Sequence, residues 1–273
     1  MRKVVRTAVL LATTALGLGY ETAASAQEAD DIIVTARRVE ERLQDVPISI
    51  TVLTQEQLNN NNVSNIKDLA AYTPGLNVNS RFGADNTTFA IRGFTQEQRT
   101  SSTVGTYFAD VVAPRGSGAN FGGDGAGPGS LFDLQNVQVL KGPQGTLFGR
   151  NSTGGAVLLV PKKPTDRLEG YVEGSVGDYS MRRGQAVINI PLADTLKVRL
   201  GVDRMVRDGY LRNIGILGDG LNGRDKGMGD VDYWAVRASI VANLTPDIEN
   251  YTVATYAHTR SNGIIPKLTK CFG

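Results

Sequence analysis

Residues 137–165 read VQVLKGPQGTLFGRNSTGGAVLLVPKKPT. Val137 and Val139 alternate with polar neighbours, as in a strand, and Ala156 to Val160 is an unbroken apolar run. Between the two lie Gly142-Pro143, Gly145, Gly149 and Gly154-Gly155. Glycine tolerates positive φ and close backbone approach, so this many glycines between two strand-like runs make a compact, turn-rich β unit and not a linker. Pro161 cannot donate to a ladder and is expected to end the second strand.

The composition agrees with a β-rich chain. Of 273 residues 32 are glycine and only 7% are aromatic, which favours turn-rich β structure over helical bundles. A net charge of +2, with basic and acidic residues interspersed, leaves no nucleic-acid footprint. A single cysteine, Cys271, excludes an internal disulfide, and a single histidine, His258, argues against a His-ligated metal. No metal or cofactor site is expected. The P-loop pattern is absent, and Gly116-Ser117-Gly118 lacks the strand-to-helix setting of a dinucleotide site. With His258 as the sole histidine no Ser/His/acid set is credible, so no catalytic residues are assigned and a phosphate-binding enzyme is a remote reading.

Upstream, Met1 to Ala26 has the three parts of a secretory signal. Arg2, Lys3 and Arg6 precede an apolar core from Thr7 to Leu18, and Ala24-Ser25-Ala26 offers cleavage between Ala26 and Gln27. No later run approaches the roughly 20 apolar residues of a spanning helix. Ile32-Ile33-Val34 then stand between Asp30-Asp31 and the charged stretch from Arg37. They read as a short strand with nothing local to pair with, suited either to joining another protein's sheet edge or to opening the domain.

From Asp45 the pattern tightens. Val46, Ile48, Ile50 and Val52 share one face of a strand. Thr54 and Gln57 have capping-box spacing for a short helix, and a second helix is expected over Ser64 to Ala71 with Ser64 as its cap and Pro74-Gly75 beyond its end. Leu76 to Val78, Thr88 to Phe94 and Thr103 to Val112 read as strands, separated by polar loops at 80–87 and 95–102. The longest loop of this part is 113–130, and Leu131 to Leu134 reads as a helical turn.

Downstream of Thr165 the alternation becomes long and plain. Leu168, Val172 and Val176 alternate with Glu169, Tyr171, Glu173 and Ser175, and Leu196, Val198, Leu200 and Val202 alternate with Lys197, Arg199 and Asp203. Similar strands are expected around Ala186 to Ile190, Tyr233 to Leu244 and Glu249 to His258. Their length, about ten residues, suits tilted membrane strands. Ala193-Asp194 and Pro246-Asp247 are tight turns, whereas Arg207 to Asp232 is a long loop. Short turns on one side and a long loop on the other fit an outer-membrane barrel, although a soluble sandwich with one wet face shares the alternation.

Taken together these segments resemble the TonB-dependent outer-membrane receptors. The resemblance rests on Asp31-Ile32-Ile33-Val34-Thr35-Ala36 as a TonB box, Asp45-Val46-Pro47-Ile48-Ser49-Ile50, Phe89-Ala90-Ile91-Arg92-Gly93, and above all Val139 to Gly155. It implies an α+β plug domain followed by the first antiparallel strands of an incomplete transmembrane β-barrel. The expected divisions are a signal peptide 1–26, a TonB box and linker 27–44, a plug 45–165 and barrel strands 166–273. Five candidate strands fall well short of the about 22 around a plugged lumen of this type, so the chain is expected to be truncated and not transport-competent alone.

The resemblance also implies partners and roles. Asp31 to Ala36 would bind TonB of the energised inner-membrane complex, and Arg92 and Arg150 would face barrel carboxylates, a solvated surface arginine being the alternative for each. Plug loops carrying Arg81, Phe82, Gln96, Arg99 and Arg115 would meet a small-molecule ligand, such as a ferric siderophore. The outer surface of the strands would meet outer-membrane lipid, and no nucleic acid is expected. A soluble periplasmic module that binds TonB or ligand is the alternative.

Overall fold

The computed structural model describes residues 32–80, 87–96, 100–113, 127, 129–211 and 227–263. The chain divides into two units, Met1–Ile33 and Val34–Gly273, and of the first only Ile32 and Ile33 are described. The signal-cleavage residues Ala26 and Gln27 lie outside the described residues, as do Asp31, Arg81, Phe82, Arg99 and Arg115.

The short strand expected at Ile32-Ile33-Val34 is present as Ile33–Val34 (β1), but it has a local partner. It forms a two-stranded sheet with Glu41–Arg42 (β2), so the reading of a strand with nothing nearby to pair with is corrected. Beyond it lies a five-stranded sheet made of Ile50–Thr54 (β3), Val104–Phe108 (β6), Val111–Val112 (β7), Leu134–Lys141 (β8) and Gly155–Pro161 (β9). The order is β3-β8-β9-β6-β7, with β6 and β9 parallel and the other neighbours antiparallel. Leu76–Asn79 (β4) and Thr88–Ile91 (β5) form a separate antiparallel pair.

Local chemistry sets the ends of these elements. β3 begins at Ile50 and not at Val46, since Pro47 has no N–H to give to a ladder. The expected strand from Thr103 to Val112 folds back at Ala109 and Asp110, both at positive φ (47° and 64°), into the β6-β7 hairpin. β9 ends at Pro161, as expected. Leu131 to Asp133 is a non-helical turn, with Asp133 at φ 50°, from which the chain enters β8.

Helix Gln55–Asn60 (α1) begins with the expected reciprocal box. Thr54 Oγ1 accepts from the Gln57 N–H at 3.2 Å, and Gln57 Oε1 accepts from the Thr54 N–H at 3.0 Å. The second helix is a 3-10 turn at Ile66–Asp68 running into Leu69–Tyr72 (α2). Its cap is Asn65 and not Ser64, because Asp68 completes the box with Asn65 and Asp68 Oδ2 accepts from the N–H groups of both Ser64 and Asn65. Leu58 and Leu69 from these helices, Phe89 and Ile91 from β5, and Val137, Val139, Val157 and Leu159 from the sheet form the core.

The second large sheet is Glu169–Gly177 (β10), Met181–Ala193 (β11), Leu196–Arg207 (β12), Val231–Thr245 (β13) and Ile248–Arg260 (β14), antiparallel in chain order and open at β10 and β14. Two-residue turns at Asp194-Thr195 and Pro246-Asp247 mark one end, and the connection from β12 to β13 lies at the other. One face is apolar and exposed: Val172 is 87% accessible, and Ile188, Leu200, Trp234, Val236, Ile240 and Tyr256 lie on the same side. On β13 this stripe runs from Trp234 to Leu244. Ten steps at about 3.4 Å, tilted by about 45°, rise about 24 Å, the height of a lipid-facing apolar band. On β11 to β13 the alternate residues are largely buried, with Val187 and Ala235 packed on Phe132, whereas on β10 and β14 they are half-buried or exposed. Among the described residues no helix is long and apolar enough to cross a membrane.

Candidate functional site

Two places join elements far apart in the chain. The first lies where the segment after β1 covers β8. Val137 and Val139 point into the core, so Asn136 and Gln138 point to the other face of the strand, yet both are buried. The cover is the segment from Val34 to Ala36, with Val34 and Ala36 themselves fully buried. Gln138 Oε1 accepts from the Thr35 N–H at 3.3 Å, while Gln138 Nε2 donates to Asn136 Oδ1 at 2.9 Å and to Thr35 Oγ1 at 3.4 Å.

Arg38, at φ 61°, extends this attachment. Its Nε donates to the Leu147 carbonyl at 3.1 Å, and its guanidinium lies 5.2 Å from the Phe148 ring centroid. Leu147 and Phe148 belong to the short helix Gly145–Phe148 (α3) inside the glycine-rich stretch. Phe148 is held in turn by Tyr107, whose hydroxyl donates to the Phe148 carbonyl at 2.5 Å, with the rings 4.9 Å apart. Thus the N-terminal segment is seated on residues 138–148, where its own backbone donors are partly engaged.

The second place is the seam between the two large sheets. Asp133 sits at the entry to β8 and its carboxylate accepts from both arms of Arg199 on β12: Nε to Oδ2 at 2.8 Å and Nη2 to Oδ1 at 2.6 Å. The side chains are 6% and 4% exposed. This forked pair is the charge-assisted geometry that matches a guanidinium to a carboxylate. Glu169 on β10 adds a longer contact to Arg199 at 3.4 Å.

Arg237 on β13 approaches the same turn. It donates from Nη1 to the carbonyls of Phe132 and Asp133 at 2.7 and 3.1 Å and from Nη2 to that of Ser130 at 3.4 Å. Its guanidinium lies 4.5 Å from the Phe132 ring centroid and 4.7 Å from that of Phe108. Gly129 and Gly201 let the layers approach: a Cβ at Gly201 would fall 2.8 Å from the Phe132 ring. Within the strands a second cluster stiffens the wall, with Arg183 forked onto Asp203 at 3.0 Å twice and the Tyr233 hydroxyl donating to Asp203 at 2.9 Å.

The expected contact residues behave differently. Arg92 and Arg150 are both exposed, and among the described residues neither forms an ion pair. Arg92 stands beside another cation, and burial together with its charge pulls the Lys141 ammonium below the usual lysine range. At the Asp133 turn the acid precedes β8 and the arginines are on the strands, whereas Lys162 and Lys163, before β10, pair with Glu169 and Glu249 on the strands. Gln96 is half-buried and donates to the Thr100 carbonyl at 2.9 Å. Among the described residues no His/Cys/Asp/Glu group is arranged to hold a metal.

A polar plug packed by buried charges against strands that turn an apolar face outward defines a plugged membrane-barrel protein. Residues 42–156 match the model of the TonB-dependent Receptor Plug Domain. Through this domain the chain matches the N-terminal part of TonB-dependent receptors. It is 28% identical over 209 residues to the pesticin receptor of Yersinia pestis, an alignment covering 76% of this chain and 30% of that receptor. To the ferripyoverdine receptor of Pseudomonas aeruginosa it is 29% identical over 183 residues, covering 67% and 21% respectively. Among solved structures, the ferric yersiniabactin uptake receptor of Yersinia pestis superposes with a TM-score of 0.64 at 25% identity, over 79% of this chain and 32% of that one. The chain thus spans less than a third of the length of these relatives.

Proposed function

We propose that this chain contributes the plug and the first lipid-facing strands of an outer-membrane receptor that takes up a ferric siderophore under the drive of TonB. The observation that carries the reading is the two-faced sheet β10–β14, apolar and exposed on one side and bound to a plug by buried charges on the other. A soluble periplasmic module has no use for an outward stripe with Val172 and Val176 more than four-fifths exposed. The relatives, which are receptors for pesticin and ferripyoverdine, support a transport receptor over an enzyme. On this reading residues 1–26 are removed on export between Ala26 and Gln27, 27–44 carry the TonB box, 45–165 form the plug and 166 onward the barrel.

The proposed TonB contact is strand addition by Asp31 to Ala36. Main-chain hydrogen bonds supply the affinity in that mode, so TonB competes for the Thr35 N–H that Gln138 now holds. The test is iron uptake by the receptor carrying this chain, in a host without other siderophore receptors, offered a panel of ferric chelates with TonB present or deleted. Uptake of at least one chelate that requires TonB is expected. Ile33→Pro, which removes a backbone donor, should abolish it, and Ile33→Ala should leave most of it. Uptake that persists without TonB, or is equal in the two variants, would refute this reading.

A further inference from the structure

A cavity of about 190 Å³ lies between the 3-10 turn of the plug and the ends of β12 and β13 remote from the tight turns. Ile66, Leu131, Met205 and Tyr233 line it, and two cations reach it, Lys67 from the plug and Arg207 from β12. Arg207 donates from Nη2 to the Gly229 carbonyl at 2.9 Å, and its guanidinium lies 6.0 Å from the Tyr210 ring centroid. Its Nε is buried with no hydrogen-bond partner among the described residues. The acid next to Lys67 is already engaged, since Asp68 Oδ2 accepts from the Ser64 and Asn65 N–H groups. Asp232, at the start of β13, pairs with Arg204.

Two like charges are therefore held at one small cavity, one of them with a buried donor unused. Burial and then the charge of Arg207 pull the Lys67 ammonium below the usual lysine range, against the opposing pull of Asp68. An anion seated between the two cations would relieve the repulsion. The space equals roughly six waters at about 30 Å³ each, well below the volume of a site that encloses a whole small molecule. It suits one charged appendage of a larger ligand. A planar carboxylate matches the guanidinium fork.

We infer that Lys67 and Arg207 form a carboxylate-recognition pocket between plug and barrel wall, selecting transported ligands that carry a free carboxylate. The inference about transported ligands rests on the receptor reading above; the pocket itself does not. Its test has two arms on the receptor carrying this chain. In detergent, acetylation of Lys67 by a water-soluble active ester is followed by mass spectrometry in citrate, in phosphate and in chloride of equal ionic strength.

Citrate should slow Lys67 by about tenfold relative to chloride, the effect of one charge-assisted hydrogen bond, with phosphate well behind. Arg207→Gln should reduce that protection below about twofold, while Lys141 reacts alike in all three salts. Equal rates in citrate and chloride, equal protection in Arg207→Gln, or equal protection by phosphate would each overturn the assignment. In cells, uptake is compared for two iron(III) trihydroxamate chelates, one bearing a carboxylate and the other its carboxamide. A preference of about tenfold for the carboxylate, lost in Arg207→Gln, is expected, and equal uptake overturns the role in ligand choice. If neither chelate enters, the siderophore-receptor reading fails while the citrate result still decides the pocket.

Discussion

Replacing Asp133 by asparagine removes one charge and almost no volume from the seam. Arg199 would remain 4% exposed, with only the 3.4 Å contact to the half-exposed Glu169 to offset its charge. Removing one partner of a buried pair typically costs about 3–5 kcal/mol. Glu169 places Asp133→Asn at the lower end of that range, about 3 kcal/mol, or a factor of roughly 150 in an equilibrium constant. The control is Asp45→Asn, whose pair with Arg42 is 54% and 58% exposed and worth about 0–1 kcal/mol.

The assay is amide hydrogen exchange of Val137 to Leu140 in the detergent-solubilised receptor, since β8 starts at this turn. Asp133→Asn should speed exchange there by about a hundredfold if β8 opens as part of the plug, and Asp45→Asn by less than about fivefold. A second variant separates a lost pair from a stranded charge. Arg199→Met in the Asp133→Asn background should recover about 2 kcal/mol, because the uncompensated guanidinium is then gone. If Asp133→Asn matches Asp45→Asn, or the two seam substitutions simply add, the seam is not what holds this end of the plug.

Three further outcomes test other parts of the structure. Gln138→Ala removes two long hydrogen bonds to Thr35, worth about 1 kcal/mol together, so protease cleavage at the N-terminal segment should rise about fivefold; unchanged cleavage would show that burial of Val34 and Ala36 alone holds it. Gly155 has φ +152°, and a Cβ there would collide with the Leu140 carbonyl and fall 2.8 Å from Ile91 Cδ1, so Gly155→Ala should destabilise the plug by about 2 kcal/mol or more in urea titration. Ile240→Lys, mid-height on the outward stripe, should cost about 2–4 kcal/mol on folding into liposomes and Leu244→Lys, near its end, about 0–1 kcal/mol, whereas a water-facing sheet would tolerate both alike.

The parts of this fold that were legible in the sequence are those governed by local rules. The Thr54/Gln57 box, the end of β9 at Pro161, the tight turn at Pro246-Asp247 and the period-two strands after Leu168 each depend on residues within a few positions of one another. Departures arose where a neighbour outranked the first candidate, as Asp68 selects Asn65 over Ser64 as cap. The functional contacts were less visible. Arg199 and Asp203 stand out as charges on the second face of an apolar-alternating strand, but their partners lie 66 and 20 residues away, and nothing local selects Asp133. Gln138 carried a signal that went unread: with Asn136 it alternates with buried valines, and a polar face on a central strand needs a cover.

That cover links the two halves of the candidate site, because both act on β8. Its entry is fixed through Asp133 and the Phe132 carbonyl to β12 and β13, while its middle, at Gln138, holds Thr35. A force applied to the segment before Thr35 therefore meets the two-residue β1–β2 pairing and then two weak hydrogen bonds. Next it meets the Arg38 contact with Leu147, and only much later the forked Asp133–Arg199 pair. The attachments increase in strength from the N-terminus inward, from neutral bonds at 3.3–3.4 Å to charge-assisted ones at 2.6–2.8 Å. Such a gradient lets the N-terminal segment be released while the plug stays fastened to the wall. The Gln138 and Asp133 substitutions should therefore differ in kind: the first exposes the N-terminal segment without loosening Val137 to Leu140, and the second loosens the strand itself.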